Sequence, residues 1–348
     1  MFREDLTDRE KNVLRSIVQQ FILTASPVGS RNISRNYNLN FSPATVRNVM
    51  SDLEDSGFID HPHTSAGRVP TDKGYRFYVD SLMKIEEISK IEKQAISAKF
   101  DALQNSSAEL FTIVSRLLSS ITHQLACVLY PRLETGILEK IQLISVSSSR
   151  ILVVISITSG LVKTITLEIN AEIAEVQILA VQTLLNERLS GLALNEIRTT
   201  FKERLKEYSD DLHPIMMVFL DSVEKIFKDN NVTDKAIISG TTNLVRQPEF
   251  ENPERFQSVI ELIEEKDIII HVFDKTADRS ANGVSVSIGT ENKFPELDDF
   301  SLISKEYQIG DVTGTLGVIG PKRMEYSKIV AIINYVGELM TATFTKHS

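Results

Sequence analysis

Apolar residues in the first sixty positions recur at helical spacing, in three short blocks separated by breakers. Leu14, Ile17, Val18, Phe21 and Ile22 give one apolar face, and Thr7-Asp8-Arg9-Glu10 ahead of them fits a capping box. Pro27 and Gly29 end that helix, and Ser30 can cap a second one running to about Tyr37. Ser42-Pro43 is a further start signal, with a hydroxyl at the cap and proline at the first helical position. Val46, Val49, Met50 and Leu53 form the buried stripe of this third helix, and Gly57 ends it. The pattern then turns extended. Phe58-Ile59 and Val69-Pro70 read as two short strands around a loop from His61 to Arg68, the layout of a wing.

Beyond Leu82 the sequence reads as helix to about Ala126. Leu110, Ile113, Val114, Leu117, Leu118, Ile121 and Leu125 form an inward stripe in its second half, and Ile85, Ile88 and Ile91 among Glu and Lys predict a linker helix in its first. Ile141 to Val146, Ile151 to Ile157 and Val162 to Ile169 then predict an antiparallel three-strand meander, with serine- and glycine-bearing turns. Residues 171–228 read as helices interrupted at Gly191 and near His213-Pro214. Ala236 to Ser239 and Ile268 to Phe273 are strand-like, with a helix from Pro253 to Glu265 between them. Strands return at Val284 to Ile288, Ser301 to Tyr307 and Gly314 to Ile319, before a last helix from Ser327 to about Phe344. Two strand triplets around a mostly helical stretch predict one α+β domain interrupted by an insertion.

Charge sharpens the picture of the first block. The 348-residue chain carries −9 overall, yet residues 1–84 hold 11 Lys/Arg against 10 Asp/Glu, a balance of +1 that leaves −10 elsewhere. Residues 11–51 contain Lys11, Arg15, Arg31, Arg35 and Arg47 and no acidic residue, the footprint of a nucleic-acid module on an acidic chain. No apolar run approaches the ~18–20 residues that a membrane helix needs, and the opening MFREDLTDREK is charged where a signal peptide is apolar. A cytoplasmic protein with no membrane association is the expectation. Cys127 is the single cysteine, which excludes an internal disulfide and a thiolate zinc cluster within one chain.

The third helix carries the candidate chemistry. Ala44, Asn48 and Ser51 lie opposite its apolar stripe, flanked by Thr45 and Arg47, with Ser42 at the cap. Arginine bonds bidentately to guanine, asparagine to adenine, and a small apolar group meets the thymine methyl. These positions sit in the first turns, where a recognition helix reaches base edges. Arg31, Arg35, Lys73 and Arg76, with Tyr75, are candidates to hold phosphate, and His63, Thr64, Ser65 and Arg68 to act from the wing. Nothing else amounts to a site. His61 and His63 have no cysteine or carboxylate pair beside them in sequence to complete a metal set. Gly310, Gly314, Gly317 and Gly320 lack the Gly-Lys-Ser/Thr of a phosphate loop. His123 and Cys127 stand four apart on the predicted helix, but in an apolar setting that does not favour a thiolate. The carboxylates at Glu261, Glu264 and Glu265 and from Glu296 to Asp299 read as solvated faces. No catalytic, cofactor or metal site is predicted.

Residues 27–80, PVGSRNISRNYNLNFSPATVRNVMSDLEDSGFIDHPHTSAGRVPTDKGYRFYVD, resemble the N-terminal winged helix of the HrcA heat-inducible transcription repressors, and PHTSAGR at 62–68 is the most distinctive piece. GTLGVIGPKRMEYSKIVAIINYV, residues 314–336, resembles the end of that family, and the match is loosest over 170–275. Ala25-Ser26 departs from it where glycine is common, and His61 where glutamine is frequent. The resemblance implies a multidomain α+β protein: a winged helix-turn-helix over 1–82, a linker helix over 83–100, a GAF-like domain over 101–170 and 276–348, and an inserted dimerisation domain over 171–275. It implies a homodimer bound to double-stranded DNA at the CIRCE inverted repeat upstream of GroE and DnaK chaperone operons, released on heat stress and kept active by the GroE chaperonin. The alternative reading is a winged-helix repressor whose GAF-like domain senses a metabolite. An enzyme with a DNA-binding head would need a convergent catalytic cluster that the sequence does not offer.

Overall fold

A computed structural model describes residues 6–37, 41–62, 67–101, 107–169, 174–206, 213–228, 236–276 and 283–345. They fall into two compact units. The first comprises 1–129, 236–306 and 315–337, and the second 130–235, 307–314 and 338–348.

The first unit begins with a small head: α1 (Asp8–Thr24), α2 (Ser30–Asn36), α3 (Pro43–Asp55), β1 (Ile59–Asp60), β2 (Val69–Pro70) and α4 (Asp72–Phe77). Thr7 and Glu10 form the reciprocal capping box, the Thr7 N–H donating to Glu10 Oε2 at 2.6 Å and the Glu10 N–H to Thr7 Oγ1 at 3.4 Å. α1 ends at Ala25, whose φ of +51° is the left-handed conformation that glycine adopts without steric cost. Val13, Leu14, Ile17 and Val18 of α1 and Val46, Val49, Met50 and Leu53 of α3 make the head's core. β1 and β2 pair antiparallel, and a Val28–Arg68 bridge adds a third extended segment. Past a π-helical turn at Tyr78–Leu82, residues 83–89 form neither helix nor strand before α5 (Lys90–Asp101), so Ile85 and Ile88 lie in a connecting strap, while Ile91 is helical as expected.

α6 (Ser107–Thr122) ends earlier than the apolar stripe predicts. His123 turns the backbone at φ +54°, and Leu125–Leu129 is a strand, β3. All five of its residues are buried, and a strand covered on both faces has no alternation to distinguish it from buried helix. His123 and Cys127 therefore do not share a helix. Cys127 lies in the core, where burial and then the charge of Asp274 push its thiol pKa up.

The second unit opens with β4 (Leu138–Ser147), β5 (Arg150–Ile157) and β6 (Val162–Glu168), an antiparallel sheet in sequence order. It is followed by α7 (Glu175–Leu189), α8 (Leu194–Arg204) and α9 (His213–Phe227). Ile141, Ile151, Val153, Ile155 and Leu167 form its buried face. The β4 edge is not left bare. Asn186 of α7 accepts from the Ile141 N–H and donates to the Ile141 carbonyl, both at 2.8 Å, while Gln182 accepts from the Leu143 N–H. Side-chain amides thus satisfy groups that would otherwise invite another strand.

The chain then returns to the first unit with β7 (Ala236–Ser239), α10 (Thr241–Val245), α11 (Pro253–Glu264), α12 (Lys266–Thr276) and β8 (Val284–Ile288). It ends with β9 (Phe300–Ile309), β10 (Val312–Pro321) and α13 (Tyr326–Thr345), with residues 307–314 and 338–345 counting with the second unit. The sheet has order β7-β3-β10-β9-β8. Leu125, Cys127 and Leu129 pack with Phe250, Val259, Ile269, Phe273, Phe300 and Ile319 in one core cluster. Ala126 and Val128 face the other way by strand alternation and are also fully buried.

Two expectations are corrected here. Ile268 to Phe273 lies within a helix, its β-branched run buried in the core cluster. The two strand triplets do not share a domain: the meander forms its own sheet, and residues 236–276 pack with the C-terminal strands. The compact units divide at 129/130 and 235/236, where the expectation set the insert at 171–275 and its host domain at 101–170 and 276–348.

Candidate nucleic-acid interface

The helix bearing the candidate base-reading residues is fixed at both ends. Ser42 Oγ accepts from the Thr45 N–H at 3.1 Å and lies 3.0 Å from Thr45 Oγ1, so this hydroxyl is engaged in holding the helix start. At the other end the Phe58 N–H reaches the Leu53 carbonyl, with Gly57 left-handed between them. Burying Val46, Val49, Met50 and Leu53 leaves Ala44, Arg47, Asn48 and Ser51 exposed and Thr45 half-exposed. Arg47 and Asn48 have no hydrogen-bond or ion-pair partner among the described residues. Arg31 and Arg35 of α2 are likewise exposed and unpaired among the described residues.

The remaining candidates are placed differently. Arg68 turns back onto α3, its Nε and Nη2 meeting Glu54 Oε2 at 2.8 and 2.7 Å. His61 Nδ1 holds the other oxygen of the same carboxylate. His63, Thr64 and Ser65 lie outside the described residues. Lys73 is exposed, but its ammonium donates to the Ser56 carbonyl at 2.9 Å and lies over the Phe58 ring. Tyr75 is 2% exposed, so its hydroxyl cannot meet a phosphate, and burial pushes its pKa well up. Arg76 is withdrawn as a phosphate contact because Glu291 grips its guanidinium and Asp80 and the Val286 carbonyl take further N–H groups.

Sequence reasoning missed Glu54 as the anchor of the wing. It is one of three carboxylates in the last turn of α3, with Asp52 and Asp55, and no spacing singles it out as the partner of Arg68. Glu54, Asp60 and His61 bring donor atoms within 4.8 Å of one another, but the guanidinium on Glu54 opposes a divalent cation there. Among the described residues no helix is long and apolar enough to cross a membrane.

A family model described as HrcA protein C terminal domain matches residues 108–330. The heat-inducible transcription repressor HrcA of Chlorobium phaeobacteroides (strain BS1) is 42% identical over 351 residues, covering 98% of this chain and 99% of that protein. The chain belongs to the HrcA family. A second HrcA relative, the heat-inducible transcription repressor of Chlorobaculum tepidum, is 45% identical over 341 residues, covering 95% of this chain and 96% of that one. HrcA proteins are transcription repressors and not enzymes, which accords with the exposed, unpaired polar face of α3. A crystal structure of a hypothetical protein aligns with TM-score 0.59 at 24% identity, over 99% of this chain and all of its own, and shares the fold.

Proposed function

We propose that this chain is a cytoplasmic, sequence-specific repressor of GroE- and DnaK-type chaperone operons that binds the CIRCE inverted repeat as a homodimer. The observation that carries the reading is α3: a helix nailed down by four buried apolar residues that leaves Arg47 and Asn48 free in its first turns. Arg47 reads guanine, Asn48 adenine, and Ala44, Thr45, Ser51 and Ser42 complete the base-facing set. Arg31 and Arg35 hold phosphate, with Lys73 and the wing residues His63, Thr64, Ser65 and Arg68 beside the groove.

Pairing supports the same reading. The outer face of the β4-β5-β6 sheet carries Ile144, Val146 and Val162 exposed, with Leu152 and Val154 half-buried between them. A partly apolar sheet face of this kind, with Gln142, Thr164 and Thr166 beside Val154 and Leu152, fits a second copy. Two heads then read the two halves of an inverted repeat, the second contact being effectively intramolecular. Heat that separates or unfolds the pair releases the operator, and the GroE chaperonin restores the active form.

A gel-shift titration tests this. Arg47→Ala should cost about 1–3 kcal/mol on the CIRCE duplex and relax base preference. Arg31→Ala should weaken all sequences alike and flatten the salt slope by about one unit. Unchanged CIRCE affinity in Arg47→Ala removes that residue from the reading set. Adding GroE should raise the fraction of repressor that binds.

The rival, metabolite-sensing reading could use a cleft of about 460 Å³ lined by Ile88, Ile96, Leu117, Ile121, Lys328 and Ile332, among others. A saturable melting shift with a small molecule, coupled to operator release, would favour it.

A further inference from the structure

The head is fastened to the sheet domain of its own unit by charges whose signs alternate. Asp72 accepts from Lys322 Nζ at 2.7 Å and from the Thr290 N–H at 3.2 Å. Arg76 meets Glu291 through Nε at 2.8 Å and through Nη2, which also donates to the Val286 carbonyl at 2.7 Å. Arg323 grips Glu249 and donates to the Ile22 carbonyl at the end of α1, at 2.7 Å. The turn at Gly289 comes so close, with φ +53°, that a Cβ there would sit 2.1 Å from Asp72 Oδ2. Tyr75 and Tyr326, both buried, place their rings 6.0 Å apart beside these pairs.

Apolar contact alone would tolerate many rotations of the head. This patch accepts one, because the head offers an anion and a cation in fixed places and the sheet domain answers each with its opposite. A shift that brought Asp72 towards Glu291 would leave Arg76 facing Lys322, and like charges brought together are penalised. Two-point attachment of Arg76 to Glu291 fixes direction as well as distance.

We propose that Asp72, Arg76, Glu249, Glu291, Lys322 and Arg323 are positioning residues: a clamp that sets the attitude of the DNA-reading head, and thereby the half-site spacing the paired repressor accepts. The proposal rests on the DNA-binding reading above. None of the six is assigned a DNA contact in that reading. They act through α3, because avidity from two heads is lost when geometry forbids simultaneous engagement.

The test uses the full-length protein and three duplexes: the CIRCE repeat, the same repeat with its spacer lengthened by about half a helical turn, roughly 5 base pairs, and a single half-site. The wild type should discriminate between the two spacings by roughly tenfold or more. Glu291→Gln with Lys322→Gln should bring that ratio below about threefold while half-site affinity stays within about twofold. Lys322→Arg, which keeps the charge, should retain the wild-type ratio. If the paired variant does not fold, the milder Lys322→Gln carries the measurement with the same outcomes.

An unchanged spacing ratio in a folded variant overturns the clamp. So does a half-site loss as large as the loss on the full repeat. A wild type that binds CIRCE no better than a scrambled duplex overturns the DNA-binding reading itself.

Discussion

On the α3 surface Arg47, Asn48 and Ser51 stand in water with no partner among the described residues, whereas on α4 Asp72, Arg76 and even Tyr75 are held or buried by residues more than two hundred positions away. The two helices belong to one small head and both carry cationic side chains. Their charges have opposite fates because of what faces them, not because of what they are. An exposed, unpaired arginine keeps its hydrogen-bonding capacity for a ligand. One in a two-point pair has already used it, and the Glu291 hydrogen bond raises the Arg76 pKa still further above its ordinary value.

The contrast can be broken by measuring stability, since the α3 face should be indifferent and the paired positions should not. Glu54→Ala should have the largest effect, a loss of about 1–2 kcal/mol, because it removes the partly buried carboxylate that Arg68 and His61 share. A chemical-denaturation midpoint equal to the wild type would show that the wing anchor is worth nothing. Tyr75→Phe should gain up to about 1 kcal/mol, since it removes a buried hydroxyl without a partner.

The same variant sharpens the pH dependence. Burial, and after it Tyr326, raises the Tyr75 pKa in the folded state. Its contribution is therefore fully present below the unfolded value of about 10 and is lost as pH rises through the folded one. Tyr75→Phe should flatten the alkaline limb of a melting-temperature profile, with Tyr326 leaving part of it. The smallest effect belongs to Arg47→Ala and Asn48→Ala, each within about 0.5 kcal/mol of wild-type stability. A larger loss in either would mean that the α3 face is structural.

Much of the head was legible because its signals are local. The Thr7/Glu10 box, Ser42-Pro43 and the Val46/Val49/Leu53 stripe each lie within a few residues, and each has the structure its pattern predicts. Ala25 was visible as a departure from glycine, and its positive φ supplies the physical reason glycine suits that position. What was not legible is non-local. β3 reads as helix because strands far along the chain, β10 and β7, pair with its two edges while both of its faces are buried, which leaves no alternation to read. The Ile268–Phe273 run reads as strand for the complementary reason: its β-branched residues are placed by a core and not by propensity. At the site, the exposed residues of α3 follow from its own periodicity. The fates of Arg68 and Arg76 follow from Glu54 and Glu291, and no spacing within the head marks either.

One pairing has a thermodynamic reach beyond the sheet that contains it. Leu129 and Ala236 stand opposite each other in the β3–β7 ladder, so the whole stretch from 130 to 235 leaves and rejoins the sheet where an ordinary hairpin has a tight turn. A flexible loop of that length would set about 3 kcal/mol of extra closure entropy against the pairing, relative to a turn of a few residues. An insert that folds on its own fixes most of that length and lowers the penalty. Melted, it would restore it, and β7, among the described residues an edge strand paired only with β3, would be the first to feel the difference.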